Sequence, residues 1–379
     1  MKTQRNKFIL QRKYAYINCA YMSPMLKKVE KAGRRGMAAK RRPYKITPDD
    51  FFRDRKTVRI LFSKLIENKE PERIAIIPSV SYGMANVVNN LPKKKGKIIV
   101  LSAQFPSNIY PWMAEENYRL EVVEPEDGAG RGEKWNEKVL EAIDEETAAV
   151  AMGHVHWADG TKFDLETISE KAHKHDAALV VDGTQSVGAH PFSVKKIKPD
   201  ALVCAGYKWL MGPYSIGAAY YGEMFDKGKP IENNWISRLH SEDFSGLVNY
   251  QEEYQPGALK YDVGEHSNFI LLPMFKMALK QVLSWKPDNI QQYCSELMSE
   301  AVGDLKDLGF SIENENYRGH HLFGIRVPKG LEMEQLQKQF RRHKVSISVR
   351  GDAIRVSPHV YNDEKDVAKF MNAIRMTLE

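Results

Sequence analysis

Cysteine is scarce. Cys19, Cys204 and Cys294 are the only three in 379 residues, scattered and odd in number. That argues against a disulfide framework and for a reducing compartment. Long apolar runs are missing too: no stretch approaches the roughly 20 residues of a membrane span. The opening MKTQRNKFILQRKYAYINCA has no apolar h-region of useful length. The expected place is the cytoplasm, with no membrane partner. Internal repeats and low-complexity linkers are absent. So are a Walker A loop, a GxGxxG fingerprint and a GxSxG elbow. His154 and His156 flank Val155 without a carboxylate or cysteine at ligand spacing, so no metal is expected. His173 and His175 sit two apart on a predicted helix and point apart.

What is present suffices for two cores. Apolar residues make up 42%. The net charge is +7. Much of it lies in Lys27, Lys28, Lys31, Arg34, Arg35, Lys40, Arg41, Arg42 and Lys45. This run reads as a solvated helix face. No zinc-finger spacing or RNA-binding signature accompanies it, so no nucleic-acid partner is expected.

Short apolar runs recur at 73–77, 97–101, 120–123, 148–152, 177–181 and 201–204. They do not alternate with polar residues, which suggests strands buried on both faces of a parallel sheet. Between two of them Asp164 is a plausible N-cap, and Leu165, Ile168 and Ala172 fall on one helical face. The predicted fold is α/β: a large, mostly parallel, helix-covered sheet domain over 45–250. Residues 1–44 and 251–379 form a smaller α+β domain with an N-terminal arm. In it a long helical pattern covers about 270–309, followed by short strands at 321–327, 345–349 and 353–357 and helices at 333–343 and 363–378.

Ligands of open parallel sheets bind beyond the carboxyl ends of the strands. Five positions there or nearby carry chemistry. Asp182 directly follows a strand, where a desolvated carboxylate needs a cation; capping the next helix would account for it equally. Lys208 sits among Tyr207, Trp209, Leu210 and Met211, where desolvation favours the neutral amine that forms imines. Ser79, Ser81 and Tyr82 open a helix and could bind an anion, or merely cap it. Phe105 could stack on a flat ring or pack in a core. Arg355 could clamp a carboxylate or join a surface ion pair.

Together these segments resemble the class V aminotransferase family of fold-type I pyridoxal-phosphate (PLP) enzymes, from YAYINCA to RVSPHVYN. The segment VVDGTQSVGAHPFSVKKIKPDALVCAGYKWLMGPYSIG is similar to the family's Schiff-base signature. The resemblance implies PLP as cofactor, bound covalently to Lys208, which then serves as general base at the substrate Cα. It implies that Asp182 pairs with the pyridine nitrogen and that Gln185 lies near the phenolic oxygen. Ser81 and the Tyr82 backbone would hold the phosphate with Tyr207, Phe105 would stack on the ring, and Arg355 would receive the substrate α-carboxylate. It also implies a homodimer, with residues 261–268, His266 among them, reaching the partner's cofactor. Tyr16, Asn18, Tyr21, Trp157 and Arg350 are the candidates for the substrate lining.

Departures from the family pattern narrow the function. The segment SISVRGDAIRVS has no cysteine where the family's desulfurases carry their catalytic one. Tyr207 and Phe105 stand where those enzymes have histidines, and with FPSN they are closer to kynureninase-like and isopenicillin-N-epimerase-like members. Trp157 replaces a family asparagine near the cofactor's oxygen. The expected activity is that of a class V aminotransferase acting on an amino acid through a Cα carbanion. A lyase or an epimerase is the alternative. A non-catalytic binding module of the same fold would need a lost lysine or a fused reader domain, and Lys208 is present.

Overall fold

The computed structural model describes residues 1–92, 96–351 and 353–379. Its main sheet has seven strands. Their spatial order is Ile74–Ile77, Gly217–Tyr221, Ala201–Ala205, Ala178–Asp182, Thr147–Gly153, Gly96–Leu101 and Tyr118–Val123. Within this sheet only Gly217–Tyr221 runs against its neighbours. Six of the seven fall on the predicted apolar runs. The exception, GAAYY, is short and small-residued; a Cβ on Gly217 would collide with the Cys204 carbonyl.

Successive strand residues enter different cores. Ile99, Leu101, Val150, Met152, Leu179 and Val181 join one. Ile98, Val100, Ala149, Ala151, Ala178 and Val180 join the other. Both faces are covered by helices, and polar alternation is therefore missing. The helix Leu165–Lys174 shows the local logic. Asp164 accepts a hydrogen bond from the Thr167 N–H, at 3.2 Å, and caps it. Leu165, Ile168 and Ala172 are buried against the sheet.

The helical pattern of 270–309 is two helices, Leu271–Trp285 and Pro287–Asp307. They break because a residue before proline is driven out of the helical region; Lys286 takes a φ of 65°. Helix Leu271–Trp285 packs against Lys27–Ala39 and Arg53–Leu65.

A second, antiparallel sheet orders Ser348–Arg350, Ala353–Val356, Phe323–Arg326 and Ser311–Ile312. The run expected as one strand at 345–349 is two short ones, Val345–Ser346 pairing instead with Ala15–Tyr16. A third core gathers Ala15 and Ile17 with Phe323, Ile354, Phe370 and Ile374. The N-terminal segment continues from there toward the main sheet. The Ser357 N–H donates to the Ile17 carbonyl and the Cys19 N–H to the Ser357 carbonyl, both at 3.1 Å. Farther along, Gln185 Nε2 donates to the Ala20 carbonyl and the Ser23 N–H to the Tyr207 carbonyl.

Candidate active site

Strand register collects five loops at one sheet edge. Ile77 pairs with Gly217, and Gly217 with Ala205. Asp182 pairs with Val203 on one side and Gly153 on the other. Val100 pairs with Ala151. The residues leaving these strand ends are Ser79 and Ser81, Lys208, Asp182 itself, Trp157, and Phe105.

The Lys208 loop is tight. The Gly212 N–H donates to the Gly206 carbonyl at 2.8 Å, and the Met211 N–H to the Lys208 carbonyl at 3.0 Å. Met211 adopts a φ of 56°. Lys208 is 5% exposed. Its Nζ lies 5.2 Å from the Phe105 ring centroid and 5.6 Å from that of Tyr207. Burial pushes its amine down to about 8; Asp182 opposes that shift, while Arg355 and Arg350 reinforce it. Burial raises the Asp182 carboxyl above its ordinary value, against the Thr184 N–H that it accepts at 2.9 Å and against Lys208.

A cavity of about 390 Å³ opens over the lysine. Phe105, Trp157, Tyr207 and Tyr214 wall it, Ala20, Tyr21 and Met22 close one side, and Arg350 and Arg355 close another. Arg355 is buried; its Nη1 donates to the Trp157 carbonyl at 2.7 Å, and its Nε has no partner among the described residues. The Trp157 indole donates to the Ala103 carbonyl at 2.6 Å and meets Phe105 edge-on at 5.4 Å. A larger cavity, about 680 Å³, lies by the basic run at Arg35, Arg41, Arg42 and Lys45. Its cations are mostly solvated, so chemistry rather than volume marks the site.

Lys208, Phe105, Trp157, Tyr207, Tyr21, Arg350 and Arg355 thus come together. Other candidates have different surroundings. Gln185 Oε1 accepts the Trp209 indole N–H at 2.9 Å, so both ends of its amide are engaged. Ser79, rather than Ser81, caps helix Val80–Asn90 by accepting the Tyr82 N–H, and the two serine hydroxyls lie 3.0 Å apart. The Tyr82 hydroxyl donates to Glu232. Asn18 is buried, and its Oδ1 accepts from Ser348 Oγ at 2.9 Å; it lines an adjoining cavity with Tyr21 and Arg350. The Tyr16 hydroxyl donates to the Met22 carbonyl.

His266 lies in a different place, a buried charged cluster. Asp262 is its centre. Its Oδ1 accepts the Ile76 N–H at 2.7 Å, and its Oδ2 pairs with Arg59. Arg55 stands 3.9 Å from the same oxygen and pairs with Glu242 at 3.2 Å. His266 Nε2 is 3.3 Å from Arg55. Burial pushes the imidazole down to about 4 and keeps it neutral. Sequence reading missed Met22 and Tyr214. The signal for Tyr214 is the Lys208 loop itself, which folds back to place its ring 4.6 Å from that of Tyr207.

A buried amine, a buried carboxylate on the neighbouring strand end, an aromatic face and a helix N-terminus share this edge. These groups fit an aldehyde-bearing pyridine with a phosphate arm. The family model for class V aminotransferases matches residues 49–370. The chain belongs to the class V aminotransferase family. Enzymes of this family use pyridoxal 5′-phosphate. An uncharacterized aminotransferase, YcbU of Bacillus subtilis, is 27% identical over 83% of this chain and 81% of its own. A kynureninase of Bacillus cereus is 23% identical over 82% of this chain and 74% of its own. The structure of a cysteine desulfurase from Thermococcus onnurineus superposes with a TM-score of 0.84 at 21% identity, over 99% of this chain and 98% of that one. The last likeness establishes the fold, which is fold type I.

Proposed function

We propose that the protein transaminates an α-amino acid through Lys208. The observation that carries this reading is one cavity holding a buried, deprotonable lysine and a buried arginine with a free donor. The relative named an aminotransferase supports the reaction type. When bound, the cofactor supplies an electron sink for charge developing at the substrate Cα. The chain's residues do the rest. Arg355 Nε and its guanidinium hold the α-carboxylate. Lys208 Nζ, uncharged above about pH 8, takes the proton from Cα. Asp182 balances a positive ring nitrogen, and Ser79, Ser81 and Tyr82 stand at the phosphate end. Phe105, Trp157 and Tyr207 keep water from the reacting carbon.

We read the protein as a homodimer. Met37, Trp235 and Ile270 are exposed around one cavity, an apolar surface that a second copy would cover. Three buried, unbridged cysteines suit a cytoplasmic setting. The kynureninase relative supports a second reading, a lyase.

Two measurements test these readings. Purified protein should absorb near about 420 nm, and borohydride should fix the label on Lys208; a label on another lysine sinks the assignment. Mixing with an amino acid and no oxo-acid acceptor separates the reactions. An aminotransferase releases one equivalent of oxo acid per subunit and stops, whereas a lyase keeps turning over without an acceptor.

A further inference from the structure

Two guanidiniums serve one cavity, and the hairpin register explains how. Ser348 pairs with Arg355, and Arg350 with Ala353. Residues two apart on a strand share a face, so Arg350 and Arg355 project from the same side as diagonal neighbours, roughly 7–8 Å apart. Ile354 and Val356 point the other way, into the third core. The hydrophobic half of this hairpin therefore fixes where both arginines aim.

The two are held differently. Arg355 is buried and anchored on the Trp157 carbonyl. Arg350 is half-buried, with its guanidinium 5.5 Å from the Trp157 ring centroid. Its hydrogen bond goes to the carbonyl of its own neighbour, Val349, at 2.8 Å. The Trp157 ring is pinned through its N–H, so it presents a fixed face to that cation. No carboxylate lines the cavity among the described residues. The two like charges disfavour each other: Arg355 is pushed down to about 10, by burial first and by Arg350 next. An α-carboxylate on Arg355 answers one of them and leaves Arg350 without an anion.

We propose that the substrate is a dicarboxylic α-amino acid and that Arg350 receives its side-chain carboxylate. This rests on the reading that Arg355 takes the α-carboxylate beside Lys208. Arg350 is then the specificity residue. Its place on the Trp157 face lets it meet the distal carboxylate at the cavity mouth while the methylene chain lies along Trp157 and Phe105. A neutral side chain would leave that guanidinium unanswered and gain nothing from it.

Equilibrium binding to the holoenzyme, by calorimetry, tests this with unreactive probes: glutarate and succinate against butyrate. A dicarboxylate should bind about tenfold or more tighter than butyrate, the gain expected from one additional charge-assisted contact. Arg350→Gln should bring the ratio to near one, and Arg350→Lys should restore part of it. Arg355→Gln should weaken all three probes. Equal binding by the unaltered protein, or a preference that survives Arg350→Gln, overturns the proposal. Absorbance near about 420 nm in the same samples reports separately on the Lys208 reading. Loss of that band counts against the cofactor assignment, while the dicarboxylate preference stands or falls on the calorimetry.

Discussion

Two groups of buried charge in this molecule are built on opposite principles. Around Asp262 each oxygen is answered: the Ile76 N–H on one side, Arg59 and Arg55 on the other. The Arg59 Nε also donates to the Ile74 carbonyl at 3.0 Å. Around Lys208, by contrast, Arg350 and Arg355 line the cavity with the lysine and meet no carboxylate among the described residues. Desolvating a charge costs several kcal/mol unless a partner compensates it. The first group offsets part of that cost internally, although burial still pushes Arg59 down to about 10, and ties helix Arg53–Leu65 to the strand Ile74–Ile77. The second leaves it unmet, and a bound anion would relieve it. Unanswered buried charge, rather than buried charge as such, separates a site from a strut.

Substitutions can break that distinction. Lys208→Met should lower turnover by about 10³-fold or more, yet leave the cofactor-free protein as stable as before or more so, since it removes a buried charge. Chemical denaturation beside an activity assay checks both halves. Asp262→Ala should do the reverse. It leaves the buried Arg59 without its carboxylate and should cost about 3–5 kcal/mol; an unchanged denaturation midpoint would show that the cluster is no strut.

Arg355→Gln should raise the amino-acid KM roughly 10- to 100-fold, the range for a lost charge-assisted hydrogen bond, with little change in unfolding temperature. A further contrast is a pH effect in cofactor-free protein. The unfolded chain holds the Lys208 proton up to its ordinary 10.5, while the folded chain releases it at about 8. The unfolded state thus binds more protons between those values, so stability should rise with pH across that window. Below it the burial cost is constant. Comparing unmodified protein with Lys208→Met from pH 7 to about 10.5 isolates the effect; parallel curves would refute it. The smallest change is a control in neither cluster: Asp164→Ala should cost about 1 kcal/mol through loss of a helix cap, with activity unaltered.

The sequence made some of this plain and hid the rest for physical reasons. Asp182 and Lys208 were legible as neighbours because consecutive parallel strands usually lie side by side and deliver their carboxyl ends to one edge. Strand Gly217–Tyr221 was not, because Gly-Ala-Ala carries little strand propensity and its place depends on close approach to Cys204. The split of 270–309 was readable from Pro287, but helical periodicity on both sides masked it. Arg355 could be singled out by its motif. That Arg350 shares its face depends on hairpin register, and the tight Gly351 turn that sets it, with a φ of 57°, leaves no periodic trace. His266 was expected near a cofactor; within this chain its ring is buried beside Arg55, a contact between residues 211 positions apart.

The backbone pairing of Ile17 and Cys19 with Ser357 bears on how the protein comes into being. Synthesis releases the N-terminal end first, and domains fold as they emerge. All seven strands of the main sheet leave the ribosome well before Arg350 or Arg355. Meanwhile residues 15–20 wait for strands that do not yet exist. The cavity over Lys208 thus cannot be complete until the second sheet has been made. A chain that stops short of the second sheet would own its lysine and have nowhere to seat a carboxylate.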